Sequence, residues 1–403
     1  MFSSSKFNLS VGAEAQLAVL SFRLLEGVYG DDELKVSFLA SSNCSESFIG
    51  QNASFSFEGE FFNGVVSECS EEPSGTGFSR YEACVFCSGT LDRVNKKCAV
   101  YCDTDVETII SSLGLSAKLN SFYEVDFRMQ YNESDLDFMQ RLLEDYNIIQ
   151  FAKHSAGESE LVISDGNDFE ERKLNMVKSR LKAEEGGNFF FGYGHSSLRP
   201  GMAINAFGET FIVCSALHIG SQESAYGLKD KTDGYTCQIA AFSKQLLGNL
   251  PRTKAKPQVP GVIAAKIEGF KGSFAALDEQ GRYTIRMPFD EENDNSALSS
   301  YPVHLAQSFA GEDSGVHFPL KKDTSVLIAF ENGDIDRPVA LGALPGANPV
   351  AKNNSYKNIL KTSSGITLTF DDSTGNLDIE APGNVSIKAN GNLVLQGKTV
   401  GIN

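Results

Sequence analysis

The sequence holds only five histidines, and no two of them form an H-x-H or H-x-x-x-H pair. None of His154, His195, His218, His304 and His317 stands beside a G-x-S-x-G nucleophile turn, so no catalytic residue is assigned and an enzyme is not expected. No apolar run approaches the ~18 residues a membrane-spanning helix requires. The N-terminus, MFSSSKFNLSVGAEAQ, lacks the basic-then-apolar layout of a secretory signal, which places assembly in the cytoplasm. Positive charge is also in deficit: 35 Lys and Arg face 52 Asp and Glu, for a formal charge of −17. Phosphate binding rests on clustered Lys and Arg, so nucleic acid is disfavoured as a partner.

Cysteine is present without an evident site. Cys84, Cys87, Cys98 and Cys102 read C-x-x-C then C-x-x-x-C, the outline of a zinc site. Tyr81 to Cys87 reads as a strand, however, which sends Cys84 and Cys87 to opposite faces, with Val85 and Phe86 where a knuckle needs a turn. Small, reduced, buried hydrophobes are the expectation for these four. Cys44, Cys69, Cys214 and Cys237 are scattered. No metal and no cofactor is expected.

What is there reads as several domains, mostly β with a few helices. The first hundred positions alternate apolar and polar residues between Gly and Asp/Asn punctuation, as in a barrel or strongly curved sheet. A helix is expected from Asp103–Thr104, with Val106, Ile109, Ile110 and Leu113 on one stripe and Gly114 at its end. A second follows Asn132 or Ser134, burying Met139, Leu142, Leu143 and Tyr146. Strands resume at NIIQFAKH. Glu171 to Glu185 then reads as helical, with Leu174, Val177 and Leu181 in phase. Its basic run of Arg172, Lys173, Lys178, Arg180 and Lys182 is expected on a solvated face. Strands return from Phe189 to about Ser243. The boundaries are residues 1–250 for the first domain, with two β-barrels and intervening helices, and 251–261 for a Pro- and Lys-containing linker. Residues 262–346 form a five-stranded OB-like barrel and 347–365 a second linker.

The remainder, 366–403, is periodic. From Ser373 the chain runs STGNLDIE, APGNVSIK, ANGNLVLQ, and Gly375, Gly383 and Gly391 recur every eight residues, each followed by Asn. Behind each Gly-Asn corner two apolar residues sit one apart: Leu377 and Ile379, Val385 and Ile387, Leu393 and Leu395. That spacing puts both on one face of a short strand, and a corner plus a strand at fixed period is a β-solenoid signature. An octad is too short to enclose a core alone, so several identical chains wound together are expected, a trimeric intertwined β-helix with those six side chains on its axis.

Phe127 to His154, FRMQYNESDLDFMQRLLEDYNIIQFAKH, resembles the VgrG family of type VI secretion spike proteins. The matching positions are Gln130, Tyr131, Asn132, Glu133, Ser134, Phe138, Arg141, Leu142 and Leu143. A second stretch, GEDSGVHFPLKKDTSVLIAFENGDIDRPVALGAL, is similar to the family's OB-fold element through Gly311, Gly315, Phe318, Pro319, Gly333, Asp334, Asp336, Arg337, Pro338 and Gly342. The same domain order occurs in contractile phage tails, so an extracellular injection system or a phage tail is the alternative setting. A carbohydrate-binding or hydrolytic tail protein is the reading from a different class. Leu344 and Ile366 lie too close for the lysozyme domain some phage relatives insert there. No histidine follows His317 to hold the tip iron of some phage needles. Asp165 to Pro200 is short for the family, and no effector domain is expected after the octads.

The resemblance implies a homotrimer whose baseplate hub docks on a hexameric inner tube among baseplate proteins. It also implies a PAAR-repeat protein capping the needle at Val400, Gly401, Ile402 and Asn403, and carried effectors. The spike would cross a membrane by force and be ejected to the extracellular space or into a target cell.

Overall fold

Phe7, Leu9 and Val11 point inward along the first strand while Asn8 and Ser10 point out, the period-2 alternation of a half-buried strand. In this computed structural model the described residues are 6–401, except 31, 42–44, 74–77, 88–93, 118, 167–168, 185–186, 224–232, 249–251, 253, 270–273, 276, 291–299, 348 and 351–354. The first unit contains β1 (Phe7–Val11), β2 (Glu14–Gly27), β3 (Glu33–Ser41), a one-turn helix α1 (Ser45–Phe48), β4 (Asn52–Phe57), β5 (Glu60–Pro73) and β6 (Phe78–Cys87). Hydrogen bonding runs in the order β1-β4-β5-β6-β3-β2, and β1 returns to β2, so six strands close a barrel. Closure removes the exposed edges that an open sheet leaves. Phenylalanine fills the interior: Phe22 meets Phe7 and Phe55 edge-to-face, with centroids 4.9 and 4.7 Å away. Full burial of each such ring stabilises the fold by roughly 1.5–3 kcal/mol.

Next come β7 (Lys97–Asp105), α2 (Val106–Ser112), β8 (Glu124–Glu133) and α3 (Asp135–Asp145). Both helices start where a side-chain oxygen can satisfy a free backbone N–H. Asp105 accepts from the Thr108 amide at 2.9 Å and Ser134 from the Asp137 amide at 3.1 Å. Val106, Ile109 and Ile110 of α2 and Phe138, Met139, Leu142 and Leu143 of α3 share one core with Ile212 and Phe242. The hairpin β9 (Ile149–Ser155) and β10 (Glu158–Ser164) lies against β5, where the Asn63 side-chain amide donates to the Ser155 and Glu158 carbonyls at 2.9 and 2.8 Å.

A second sheet grows from the barrel wall. Its strands are β11 (Glu170–Arg172), β12 (Met176–Glu184), β13 (Gly187–Gly194), β14 (Met202–Ala206), β15 (Glu209–Ser221) and β16 (Gly234–Ser243). Ser215–Ser221 of β15 pairs with Ser21–Gly27 of β2, and β16, β13 and β12 follow in order. Gly220 is needed at this seam because a Cβ there would lie 2.2 Å from the Phe22 ring. Two expectations are corrected here. Of the two barrels expected in 1–250, one closes among the described residues, and the second unit is an open sheet sharing the barrel's strands. The segment expected to be helical from Glu171 instead contributes to β11 and β12: Leu181 pairs with Phe190 across the ladder, and β12 forms the sheet's end. Lys178, Arg180 and Lys182 stand on that edge, where charge discourages pairing with a stray strand. Arg180 also lies over the Phe191 ring, 5.8 Å from its centroid.

Inside the seam is a buried charge cluster. Arg199 forms a two-nitrogen ion pair with Glu26, and His218 Nε2 lies 3.1 Å from the same carboxylate. Burial alone would raise the Glu26 pKa, but Arg199 and His218 outweigh it and hold the carboxyl far below its usual range. Burial would lower His218, yet its contacts with Cys237 and Glu26 push it up to about 9. The His218 contribution to stability is therefore complete below pH ~6.5 and lost as pH rises through about 9. That of Glu26 is complete above pH ~4.3 and lost as pH falls toward its depressed value. We expect His218→Gln to flatten the fall in thermal midpoint across the alkaline window, read by calorimetry. An equal slope in variant and wild type would remove His218 as the cause.

The OB-like unit holds β17 (Ile263–Ile267), β18 (Tyr283–Arg286), β19 (Ser300–Val303), the small hairpin β20 (Ala310–Gly311) and β21 (Ser314–Gly315), β22 (Ser325–Phe330) and β23 (Pro338–Ala343). The order β19-β18-β17-β22-β23 is joined at its ends by Ala306 N–H to the Ala340 carbonyl and Ala340 N–H to the His304 carbonyl, at 2.7 and 3.0 Å. β19 ends at Val303, and beyond it Leu305 forms an isolated parallel bridge with Ala340. Last come β24 (Lys357–Lys361), β25 (Thr367–Asp371) and β26 (Asn376–Glu380), an antiparallel meander. The expected linker 347–365 therefore contains a strand, and the first octad pairs back onto β25. From 381 to 401 the described residues form no strand within one chain. Among the described residues no helix is long and apolar enough to cross a membrane.

Candidate functional site

The two motif stretches, far apart in sequence, meet at the joint between the first domain and the OB-like barrel. β8 carries one into place. Val100, Cys102, Phe127 and Met129 of the β7–β8 hairpin share a core with Ile267, Ile285, Val326 and Ile335 of the barrel. Phe127 packs on Tyr301 with centroids 4.3 Å apart, and Tyr131 faces Phe289 at 6.5 Å.

The loop between β22 and β23 delivers the other motif. Gly333 adopts φ +76°, a left-handed conformation that glycine tolerates without strain, and ends the single 3-10 turn after β22. Asp334 then accepts from the Asp336 amide at 3.1 Å, and the Arg337 amide donates back to the Asp334 carbonyl at 2.9 Å. This local turn aims the Asp336 carboxylate at β8. There it accepts from the Met129 amide at 3.1 Å, pairs with Arg128 and lies 3.6 Å from Arg141. Arg141 in turn bonds Glu133 at 2.7 Å and the Met129 carbonyl at 2.8 Å, while Arg128 reaches Asp145 at 3.1 Å. For Arg128, burial disfavours the charge but Asp336 and Asp145 outweigh it and raise its pKa. For Glu133 burial dominates over Arg141, and its pKa is raised.

The linker closes the joint. Arg252 pairs with Asp145 at 3.0 Å, and Lys254 pairs with Asp137 at 2.6 Å while its amide donates to Glu144 at 3.0 Å. Lys256 lies 2.9 Å from both Asp334 and Asp336. Residues expected to be a loose connector are thus tied to α3 on one side and to the barrel on the other. This explains why Gln140, Arg141 and Glu144, on the polar side of α3, are buried. Burial would raise Asp334, but its hydrogen bond with Lys256 outweighs that and lowers it.

Other motif residues take up local roles around the joint. Gln130 is buried and donates to the Glu133 carbonyl and to Asp135 at 3.2 and 3.0 Å. Asn132 has φ +49° and donates its amide to Cys98 Sγ at 3.4 Å. Phe138 stacks on Tyr101 at 5.4 Å. Pro338 starts β23, Gly342 lies within it, and the Arg337 side chain is exposed. Arg128, Asp145 and Lys256 were missed in the sequence, where only the neighbouring motif residues signalled them. The joint is a set of ion pairs and apolar contacts, in which Arg128 Nε, Arg141 Nη1 and Asp145 Oδ2 are buried without a hydrogen bond. It suits transmission of load between rigid units.

The six octad residues are elsewhere. Leu377, Ile379, Val385, Ile387, Leu393 and Leu395 are each between 55% and 67% exposed in the single chain. Val400 and Gly401 are exposed too, and Ile402 and Asn403 lie outside the described residues. The cysteine quartet is not brought together: Cys84 donates to Glu33 at 3.1 Å, whereas Cys87 is buried beside His154. Cys44 lies outside the described residues.

Residues 33–206 match the family described as the phage tail baseplate hub, and residues 275–344 match the type VI secretion system/phage-baseplate injector OB domain. Its hub and OB segments are similar to those of VgrG spike proteins of type VI secretion. Over 186 residues it is 27% identical to the VgrG3 type VI secretion spike of Vibrio cholerae, which covers 43% of this chain. That match spans only 18% of the Vibrio protein. With VgrG1a of Pseudomonas aeruginosa it shares 21% identity over 80% of this chain and 68% of that one. The solved Escherichia coli c3393 protein, a type VI secretion component, superposes with a TM-score of 0.67 at 20% identity, covering 84% of this chain and all of that one. Both matched families describe parts of an injector, and neither is an enzyme family. The joint described above lies between the hub and OB segments that these two families define.

Proposed function

We propose that the chain is the trimeric hub and spike of a contractile injection machine of the type VI kind. The observation that carries this is the tail: six large apolar side chains at octad spacing, left exposed by a single chain. Such a strip is covered most economically by two further copies of itself wound about a three-fold axis. The hub segment above it contributes two β-units per chain, a closed barrel and an open sheet. Three copies then offer six β-units to a hexameric inner tube, with baseplate proteins around them. Assembly takes place in the cytoplasm, and contraction ejects the spike to the extracellular space or into a target cell. No membrane-spanning helix is needed, because the membrane is crossed by force. The phage-baseplate descriptions of both matched families favour, as a second reading, a hub in a phage tail or an extracellular injection system.

The needle end, Val400 to Asn403, is the docking face for a PAAR-repeat tip protein, through which effectors are carried. The family resemblance and the exposure of Val400 and Gly401 support this reading. Deleting the last four residues is expected to abolish co-purification of the tip protein while the trimer persists. A truncated trimer that still retains the tip protein would overturn this assignment.

A further inference from the structure

Asp32, Cys87 and His154 come from three separate elements and converge. Asp32 leads into β3, Cys87 is the last residue of β6, and His154 lies on β9. One ligand atom from each lies within 4.8 Å of the others, and Cys87 Sγ is 3.9 Å from His154 Nε2. We propose that these three residues bind a divalent cation of the zinc class and that the ion clips the β9–β10 hairpin to the closed barrel. A thiolate, an imidazole and a carboxylate are a donor set suited to zinc. Tetrahedral bonds of the usual lengths would hold the sulfur and nitrogen ~3.5 Å apart, so this pair needs an inward shift of a few tenths of an ångström, and the Asp32 carboxylate closes the remainder.

The surroundings hold the donors in place. The Cys87 amide donates to the Asp32 carbonyl at 3.2 Å, and the Gly27 amide donates to Asp32 Oδ1 at 3.0 Å. His154 Nδ1 lies 2.8 Å from Ser159 Oγ and 3.3 Å from the Asn63 amide. Binding through Nε2 leaves the ring proton on Nδ1, which donates to Ser159 and gives up the longer Asn63 contact. Orientation of a ligating histidine by a hydrogen bond from its other nitrogen is the usual arrangement. The two anionic donors balance a divalent charge, and Arg199 is already paired with Glu26. His154 and Ser159 also line a cleft of about 770 Å³.

The test uses the full chain stripped of metal and titrated with Co²⁺, then with Zn²⁺ in competition. We expect one ion per chain, a thiolate-to-cobalt charge-transfer band, and a thermal midpoint that rises with metal concentration. Cys87→Ser should remove the band, whereas Cys84→Ser, on the outer face of the same strand, should keep it. Ser159→Ala should weaken binding about 10–100-fold while keeping the spectrum. Substoichiometric binding by the folded wild type would overturn the proposal, leaving Cys87 and His154 as a hydrogen-bonded pair. So would a charge-transfer band that survives Cys87→Ser.

Discussion

Ile387→Asp is expected to abolish the trimer. In the proposed needle this position faces the axis, so the substitution sets three carboxylates at one level of a dry core. Each would cost several kcal/mol, of order 3 or more, unless neutralised, and no basic partner is available on an axis lined by Leu, Ile and Val. The hub has its own closed barrel and cores, so the variant should remain folded but monomeric. Circular dichroism and sedimentation together read this outcome. A second variant, Ser386→Asp, places the charge on the opposite face of the same strand and should leave the trimer intact. If both variants stay trimeric, the octads do not wind the chains together.

The next largest effect is expected at the joint. Asp336→Ala removes the carboxylate shared by Arg128, Arg141 and Lys256 and leaves the Met129 amide without that acceptor. Breaking a buried pair from one side costs about 3–5 kcal/mol. The lower end applies here, because Arg128 retains Asp145 and Arg141 retains Glu133. The fold should survive with a denaturation midpoint reduced accordingly. Asp334→Ala, at a more exposed carboxylate, should cost about 1 kcal/mol or less. Equal losses for the two variants in urea titrations would mean that Asp336 does not anchor the joint.

The legible parts of this chain were those set by neighbours in sequence. A cap acts within three residues, so Ser134 was one of the two starts read for α3, while α2 was read from Asp103–Thr104, just ahead of its cap Asp105. The octad period is legible in one short window, but of its three expected strands only Asn376–Glu380 forms in the single chain. Glu171 to Glu185 was misread because Leu174, Val177 and Leu181 happen to keep helical phase. What decides the segment is its ladder with Phe189–Phe191, which local phase does not record. The open second sheet follows from β15 pairing with β2, across most of the hub's length. The joint was half legible. The motif resemblance marked Glu133, Arg141, Asp334 and Asp336, but their meeting and the recruitment of Arg128 and Lys256 depend on tertiary packing. Asp32, Cys87 and His154 gave no spacing signal, since each comes from a different element.

The central claim is that three copies of this chain are wound into one spike. Its most direct test is the mass of the purified full-length protein by light scattering over a wide dilution range. The account predicts three times the chain mass, unchanged on dilution. A stable monomer would contradict it.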